Sequence, residues 1–315
     1  MKRPTMVALA EEYLAYRRDL GSQLKTEGQQ LLRFARWADQ TGHAGPVTID
    51  LAVRWAALPE DCSQLYRARR LEGVRCFARH RAIFDPETQI PPDRLLGRAH
   101  RRTAPHIYSP HEIAHLLAAA KALAPRNGLR PQTYRTLWGL LACTGLRISE
   151  ALNLAWDDVD LERGLLTIRR GKFHKSRLVP LHRSVAAALR RYARFRDCCY
   201  PAAPSRTFFL SQSGRPLAYS TVRTTFRRIG QRLGWSAGLS GRLPRMHDLR
   251  HTFACRRLLQ WYRQGVNVDH AIAALSTYLG HRKVTDTYWY LTGIPELMAV
   301  AVRRFEQFGR SGGAP

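Results

Sequence analysis

The chain has 315 residues, 45% of them hydrophobic, enough for two domains with apolar cores of their own, which excludes both a disordered chain and a miniprotein held by staples. Lys and Arg total 51 against 24 Asp and Glu, a formal net charge of +27, so the expected partner is a polyanion, nucleic acid before an anionic surface. The excess is uneven: 18 basic and 12 acidic residues stand up to position 106 and 33 and 12 beyond it, so the later part should carry the electrostatic footprint.

At the amino end, "MKRPTMVALAEEYLAYRRDLG" places Glu11 and Glu12 where a secretory leader needs its apolar stretch, and nowhere do 18 apolar residues run together. The expectation is a cytoplasmic protein, nucleoid-associated when bound to DNA. The six cysteines show no CxxC spacing, which suits a reducing compartment. Residues 6–38 read as two amphipathic helices meeting near Gly21, with Leu31, Phe34 and Trp37 on the apolar stripe of the second. Further helices are expected at 48–58 and 62–84. The stretch "DPETQIPPDRLLGRAHRRTAP", with its prolines and arginines and no period, reads as a linker over roughly 85–107. Ser109-Pro110-His111-Glu112 is a capping box with proline at the first helical position, and it opens a second domain. Within that domain 131–145 reads as helix, "GLLTIRR" (164–170) and "SRLVPL" (176–181) as short strands, and 171–175 as their connection. Helices follow at 184–197, 219–233, 247–263, 268–278 and through "LGHRKVTDTYWYLTG" into "PELMAVAVRRFEQF". The fold class is mainly α with a small β-hairpin, divided into domains of 1–106 and 107–315.

Four segments could carry chemistry. In "TGLRISE", Arg147 and Glu150 are three apart and share a face if helical geometry runs through them; a surface ion pair is the plainer reading. In "GKFHKSRLVP", Lys172 heads the hairpin connection, where its ammonium could reach an outside partner, although lysines are common in turns. In "MHDLRHTFA", His247, Arg250 and His251 share one broad helical side. Two histidines four apart suit a metal, with His281 as a third ligand, but Arg250 lies between them with the same orientation and the glutamate of HExxH is missing. No metal or other cofactor is therefore expected. Anion recognition uses the same residues more economically, because guanidinium forks match phosphate oxygens. Attack on a phosphodiester further needs an in-line nucleophile and a proton donor for the leaving oxygen, and "LGHRKVTDTYWYLTG" offers tyrosines after His281.

The ordered set "TGLRISE", "GKFHKSRLVP", "HDLRHTFA" and "LGH" with a tyrosine nine residues on resembles the catalytic domain of the tyrosine recombinase (phage integrase) family, over roughly 107–305. The helical region before it is similar to that family's core-binding domain in length, composition and position. The resemblance implies that Arg147 and Arg250 clamp the scissile phosphate, and that Lys172 donates a proton to the departing 5′ oxygen. His247 would transfer a proton or orient the phosphate, His281 would donate a further hydrogen bond to it, and Glu150 would support its neighbours. Tyr290 would be the nucleophile of a 3′-phosphotyrosyl link, formed and reversed without metal or ATP. The implied enzyme is a site-specific DNA recombinase or integrase that closes around double-stranded core sites, a dimer on one site and a tetramer in the synapse. In similar recombinases a terminal segment docks on a neighbouring protomer, which residues 294–315 would do here.

Nine residues at ~100° each turn about half a circle beyond whole turns, so His281 and Tyr290 would point apart on one straight helix. A break or helix start is expected at Thr285-Asp286, with Tyr288 facing elsewhere. The interval from His247 to His281 is longer than in compact members, from either an extended helix or an enlarged loop. Alternative readings are a type IB topoisomerase-like enzyme, a noncatalytic architectural DNA-binding protein, and a metal nuclease.

Overall fold

The computed structural model describes residues 4–22, 24–58, 60–99, 104–169, 176–201, 205–238, 241–281 and 283–288, with Val302 and Glu306. It divides into two compact units, Met1–Thr103 and Ala104–Pro315.

Among its described residues the first unit holds four helices: α1 (Met6–Asp19), α2 (Lys25–Gln40), α3 (Ile49–Ala57) and α4 (Gln64–Arg81). Polar caps set where they begin. Thr5, Thr48 and Ser63 each accept a backbone N–H of the first turn, and Asp39 of α2 accepts from Met6 N and Val7 N at 2.8 and 3.1 Å, tying α2 to the start of α1. Between α1 and α2 the chain turns through Gly21 at φ +82°. Phe34, Ala35, Leu51, Trp55, Val74 and Phe77 form the core, each large apolar side chain contributing about 1.5–3 kcal/mol by leaving water. The expected linker is shorter than its composition suggested. Residues 85–99 lie on their own unit: Gln89 N donates to Val47 O, Asp93 pairs with Arg75 at 3.1 Å, Leu96 packs on the core, and Arg69 donates to Ala99 O. Prolines removed the period from that stretch without removing its contacts.

The second unit begins with α5 (Pro110–Lys121), where Ser109 and Glu112 form the reciprocal capping box. Then come α6 (Leu129–Thr144), a short α7 (Ile148–Leu152), a 3-10 turn at Trp156–Asp158, and strands β1 (Val159–Asp160), β2 (Leu165–Ile168) and β3 (Arg177–Pro180). The sheet is antiparallel in the order β1-β2-β3, with Leu166 opposite Val159 on one side and Val179 on the other. The hairpin expectation holds, and β1 adds a third strand too short to show a period. The chain continues through α8 (Arg183–Cys199), α9 (Tyr219–Arg232), α10 (Met246–Arg263), α11 (Val268–Leu279) and α12 (Thr285–Tyr288). Trp138, Leu137, Phe208, Phe209 and Phe226 are fully buried at its centre. The long interval after His247 goes into helix, since α10 runs 18 residues and only a short turn separates it from α11. The mainly helical architecture with a small sheet is therefore the one expected. Among the described residues no helix is long and apolar enough to cross a membrane.

Candidate active site

Two glycines in the left-handed region break the helices where the site forms. Gly145, at φ +64°, ends α6, and a Cβ there would lie 2.6 Å from Phe253 Cδ1. α6 thus stops before Arg147, close to the end expected at 145, and helical geometry does not run through Arg147, whose backbone is extended (φ −70°, ψ 143°) as the N-cap of α7. The pair still meets, by capping: Glu150 Oε2 accepts from Arg147 N at 3.0 Å and Oε1 from Arg147 Nη1 at 2.8 Å. Gly280, at φ +68°, ends α11 with a Schellman closure in which His281 N donates to Ser276 O and Gly280 N to Thr277 O, both at 3.0 Å.

The last carbonyls of a helix have no intrahelical partner and carry the negative end of its dipole. At α11 three guanidinium groups take them. Arg177 Nε donates to Tyr278 O at 2.7 Å, Arg250 Nη2 to Leu279 O at 2.6 Å, and Arg147 Nη2 to Gly280 O at 2.9 Å. Arg250 also donates to Gly145 O at 2.8 Å, joining the ends of α6 and α11, and is buried to 2% exposure. Its helix is held in register by Asp248, which accepts from Arg245 N at 2.9 Å at the start of α10. Thr252 Oγ1 bonds Asp248 O and accepts from Tyr108 N. Arg177 grips Glu150 with both ends of its fork, Nη1 to Oε1 at 3.0 Å and Nη2 to Oε2 at 2.8 Å. Burial pushes the Glu150 carboxyl up, but the hydrogen bonds and charge of Arg177, then those of Arg147, outweigh it and hold it at about 2. Among the described residues three arginines meet one carboxylate, which leaves the cluster cationic.

The histidines respond to that charge. His281 is half-buried, its Nδ1 2.7 Å from Thr287 Oγ1, and burial followed by the charges of Arg250 and Arg147 pushes it down to about 4. His247 is solvent-accessible yet crowded by surrounding protein; that crowding, then Arg250, brings it to about 4. His251 packs its ring on that of His247 with centroids 4.8 Å apart, and burial followed by His247 lowers it to about 3. All three imidazoles are neutral at pH 7.

The structure therefore brings together Arg147, Glu150, His247, Arg250 and His281 from three separate segments. His281 stands between α11 and α12, and α12 begins at Thr285, where the helix calculation asked for a break. Tyr288 is 41% exposed. Lys172, the hairpin connection 171–175, Trp289, Tyr290 and, apart from Val302 and Glu306, the tail 294–315 lie outside the described residues. Sequence reasoning missed Arg177. Arg177 shows itself only through partners 27 and 101 residues away, and its sole local signal is an arginine in a strand beside the buried Val179. Among the described residues no group of three or more His, Cys, Asp or Glu is placed to hold a metal ion.

Residues 107–293 match the model of the phage integrase family. The Sinorhizobium fredii protein y4rB, whose designation is integrase/recombinase, is 44% identical over 94% of this chain and 96% of its own length. The tyrosine recombinase XerD of Caulobacter vibrioides is 31% identical over 78% of this chain and 76% of its own. Among solved structures, the Tn1549 transposon integrase with circular intermediate DNA superposes with a TM-score of 0.67 at 19% identity, covering 97% of this chain and 100% of that one. The XerH site-specific recombinase bound to palindromic difH substrate gives 0.66 at 18% identity, covering 95% and 85%. The chain belongs to the phage integrase family of tyrosine recombinases. It is an enzyme of site-specific DNA recombination, one that cleaves and rejoins DNA strands.

Proposed function

We propose that the cationic cluster at the end of α11 binds the scissile phosphate of a double-stranded core site, and that Tyr290 attacks it. The observation that carries this reading is the convergence of Arg147 and Arg250 on one helix end beside two neutral histidines. In the reaction the Tyr290 oxygen bonds to phosphorus and the P–O5′ bond breaks. The phenolic proton passes to a neutral imidazole, for which His247 is the candidate, while Lys172 protonates the 5′ oxygen. Arg147, Arg250 and His281 donate to the nonbridging oxygens, whose charge grows in the transition state. The phosphotyrosyl link keeps the energy of a phosphodiester, so the 5′ hydroxyl of another strand reverses the step and seals the exchanged duplex. No cofactor takes part. The first unit binds the core site as the core-binding domain, two protomers occupy each site, and four form the synapse. Residues 294–315 dock on a neighbouring protomer. Several relatives and structural neighbours are named as recombinases or integrases, and the neighbours above were solved with DNA, which supports the same partner here.

A nicked suicide duplex carrying the element's own boundary tests the nucleophile. Wild type should accumulate a covalent adduct mapping to Tyr290, with or without EDTA, and Tyr290→Phe should form none. An adduct at another residue, or an unchanged one in the variant, sinks the assignment.

A further inference from the structure

We infer that Arg177 is a positioning residue of strand cleavage: by holding both carboxylate oxygens of Glu150, it leaves the charge of Arg147 available to the scissile phosphate. The inference rests on the phosphate-clamp reading above. Glu150 is the one carboxylate bonded to the guanidinium groups at the end of α11 among the described residues, and its side chain is only 4% exposed. A buried carboxylate beside a single arginine forms a neutral pair, and Arg147 would then offer little net charge to an anion. Arg177 changes the balance. Its fork meets Glu150 Oε1 and Oε2 at 3.0 and 2.8 Å, so Glu150 is neutralised from the sheet side, and the guanidinium of Arg147 meets it only at Oε1 through Nη1 while the Arg147 backbone N–H donates to Oε2.

The geometry also says why Arg177 acts through its neighbours. Its Nε is engaged by Tyr278 O and its two Nη atoms by Glu150, and its side chain is 11% exposed against 20% for Arg147. A Cβ on Gly280 would stand 2.8 Å from Arg177 Nη1, so the guanidinium fills the space next to the backbone that leads into His281. One arginine on β3 therefore fixes the acid that caps α7 and the carbonyl end of α11, the two supports between which Arg147 is held.

The test measures single-turnover adduct formation on two suicide duplexes, one with a phosphodiester and one with an uncharged methylphosphonate at the scissile position. Arg177→Ala should slow phosphodiester cleavage about 10- to 100-fold, by analogy with the outer-shell residues that orient metal ligands. That deficit should narrow on the methylphosphonate, where there is less charge to stabilise. The double variant Arg177→Ala/Glu150→Gln, which removes the opposing charges together, should cleave the phosphodiester faster than Arg177→Ala. A merely structural role predicts equal deficits on both substrates and a double variant no faster than the single one; either result overturns the inference. Arg147→Ala is the reference. If its deficit narrows on the methylphosphonate and that of Arg177→Ala does not, only the role of Arg177 falls. If neither narrows, the phosphate clamp itself is wrong and the inference falls with it. Unfolding midpoints and DNA affinities accompany every variant. Should Arg177→Ala fail to fold, Arg177→Gln, which keeps a hydrogen-bond donor beside Glu150 without the charge, is read by the same comparison.

Discussion

Gly280 carries more of the site than a residue without a side chain would suggest. It ends α11 in the left-handed region, turns the chain so that His281 leaves the helix axis, and admits Arg177 where a Cβ would be 2.8 Å from Nη1 and 3.0 Å from Cζ. Gly280→Ala should lose roughly 1–2 kcal/mol to backbone strain and also displace a buried guanidinium. The control is Gly21→Ala, at a similar φ of +82° but with nothing within 4 Å of the added carbon. Both variants should unfold at lower temperature, but only Gly280→Ala should slow adduct formation, with DNA binding close to wild type. Equal cleavage by the two would mean that the tight approach of Arg177 has no catalytic consequence.

The ends of elements, more than their middles, make this site, and they were unevenly legible. His247, Arg250 and His251 share a helix, so their spacing alone placed them together. Arg147 and Glu150 were paired correctly for the wrong reason, because the break at Gly145 replaces a helical face with a capping geometry. The end of α11 was visible as Gly280-His281, but that three arginines from an extended N-cap, a strand and a helix converge on its carbonyls follows from contacts spanning 29 to 133 residues, which no local period records. Proline-rich residues 85–99 misled for a related reason: they hold their places by single tertiary bonds. The same helix end has a pH signature. His251 and His281 are held at about 3 and about 4, below their ordinary 6.5, so the unfolded chain takes up protons that the folded one does not once pH drops below about 6.5. Stability should thus fall as pH goes from about 6.5 toward 4, and the loss of Glu150 ionisation adds to it only further down, between its ordinary range and about 2. His281→Gln should flatten the decline of the thermal midpoint between pH 7 and pH 5; a slope identical to wild type would show that His281 is not held neutral by its surroundings.

At the scale of the whole molecule the governing quantity is the net charge of +27. A charge of that size acts beyond any one contact, because each phosphate neutralised releases condensed counterions, and log affinity then falls with log salt by about 0.9 per phosphate. If the surface follows a duplex core site through roughly 6–10 phosphates, affinity should drop about 10³- to 10⁵-fold between 50 and 200 mM salt. Fluorescence anisotropy of a labelled core duplex across that range measures the slope directly. The cluster at α11 obeys different physics. Arg250 is buried at 2% exposure and Glu150 at 8%, so ions in solution screen it far less than the surface. Adduct formation at saturating protein should therefore change little over the salt interval in which binding weakens by orders of magnitude. A cleavage rate that fell in parallel with affinity, even at saturation, would place the phosphate in contact with exposed charge instead of the buried cluster and would reassign the reaction to another part of the surface.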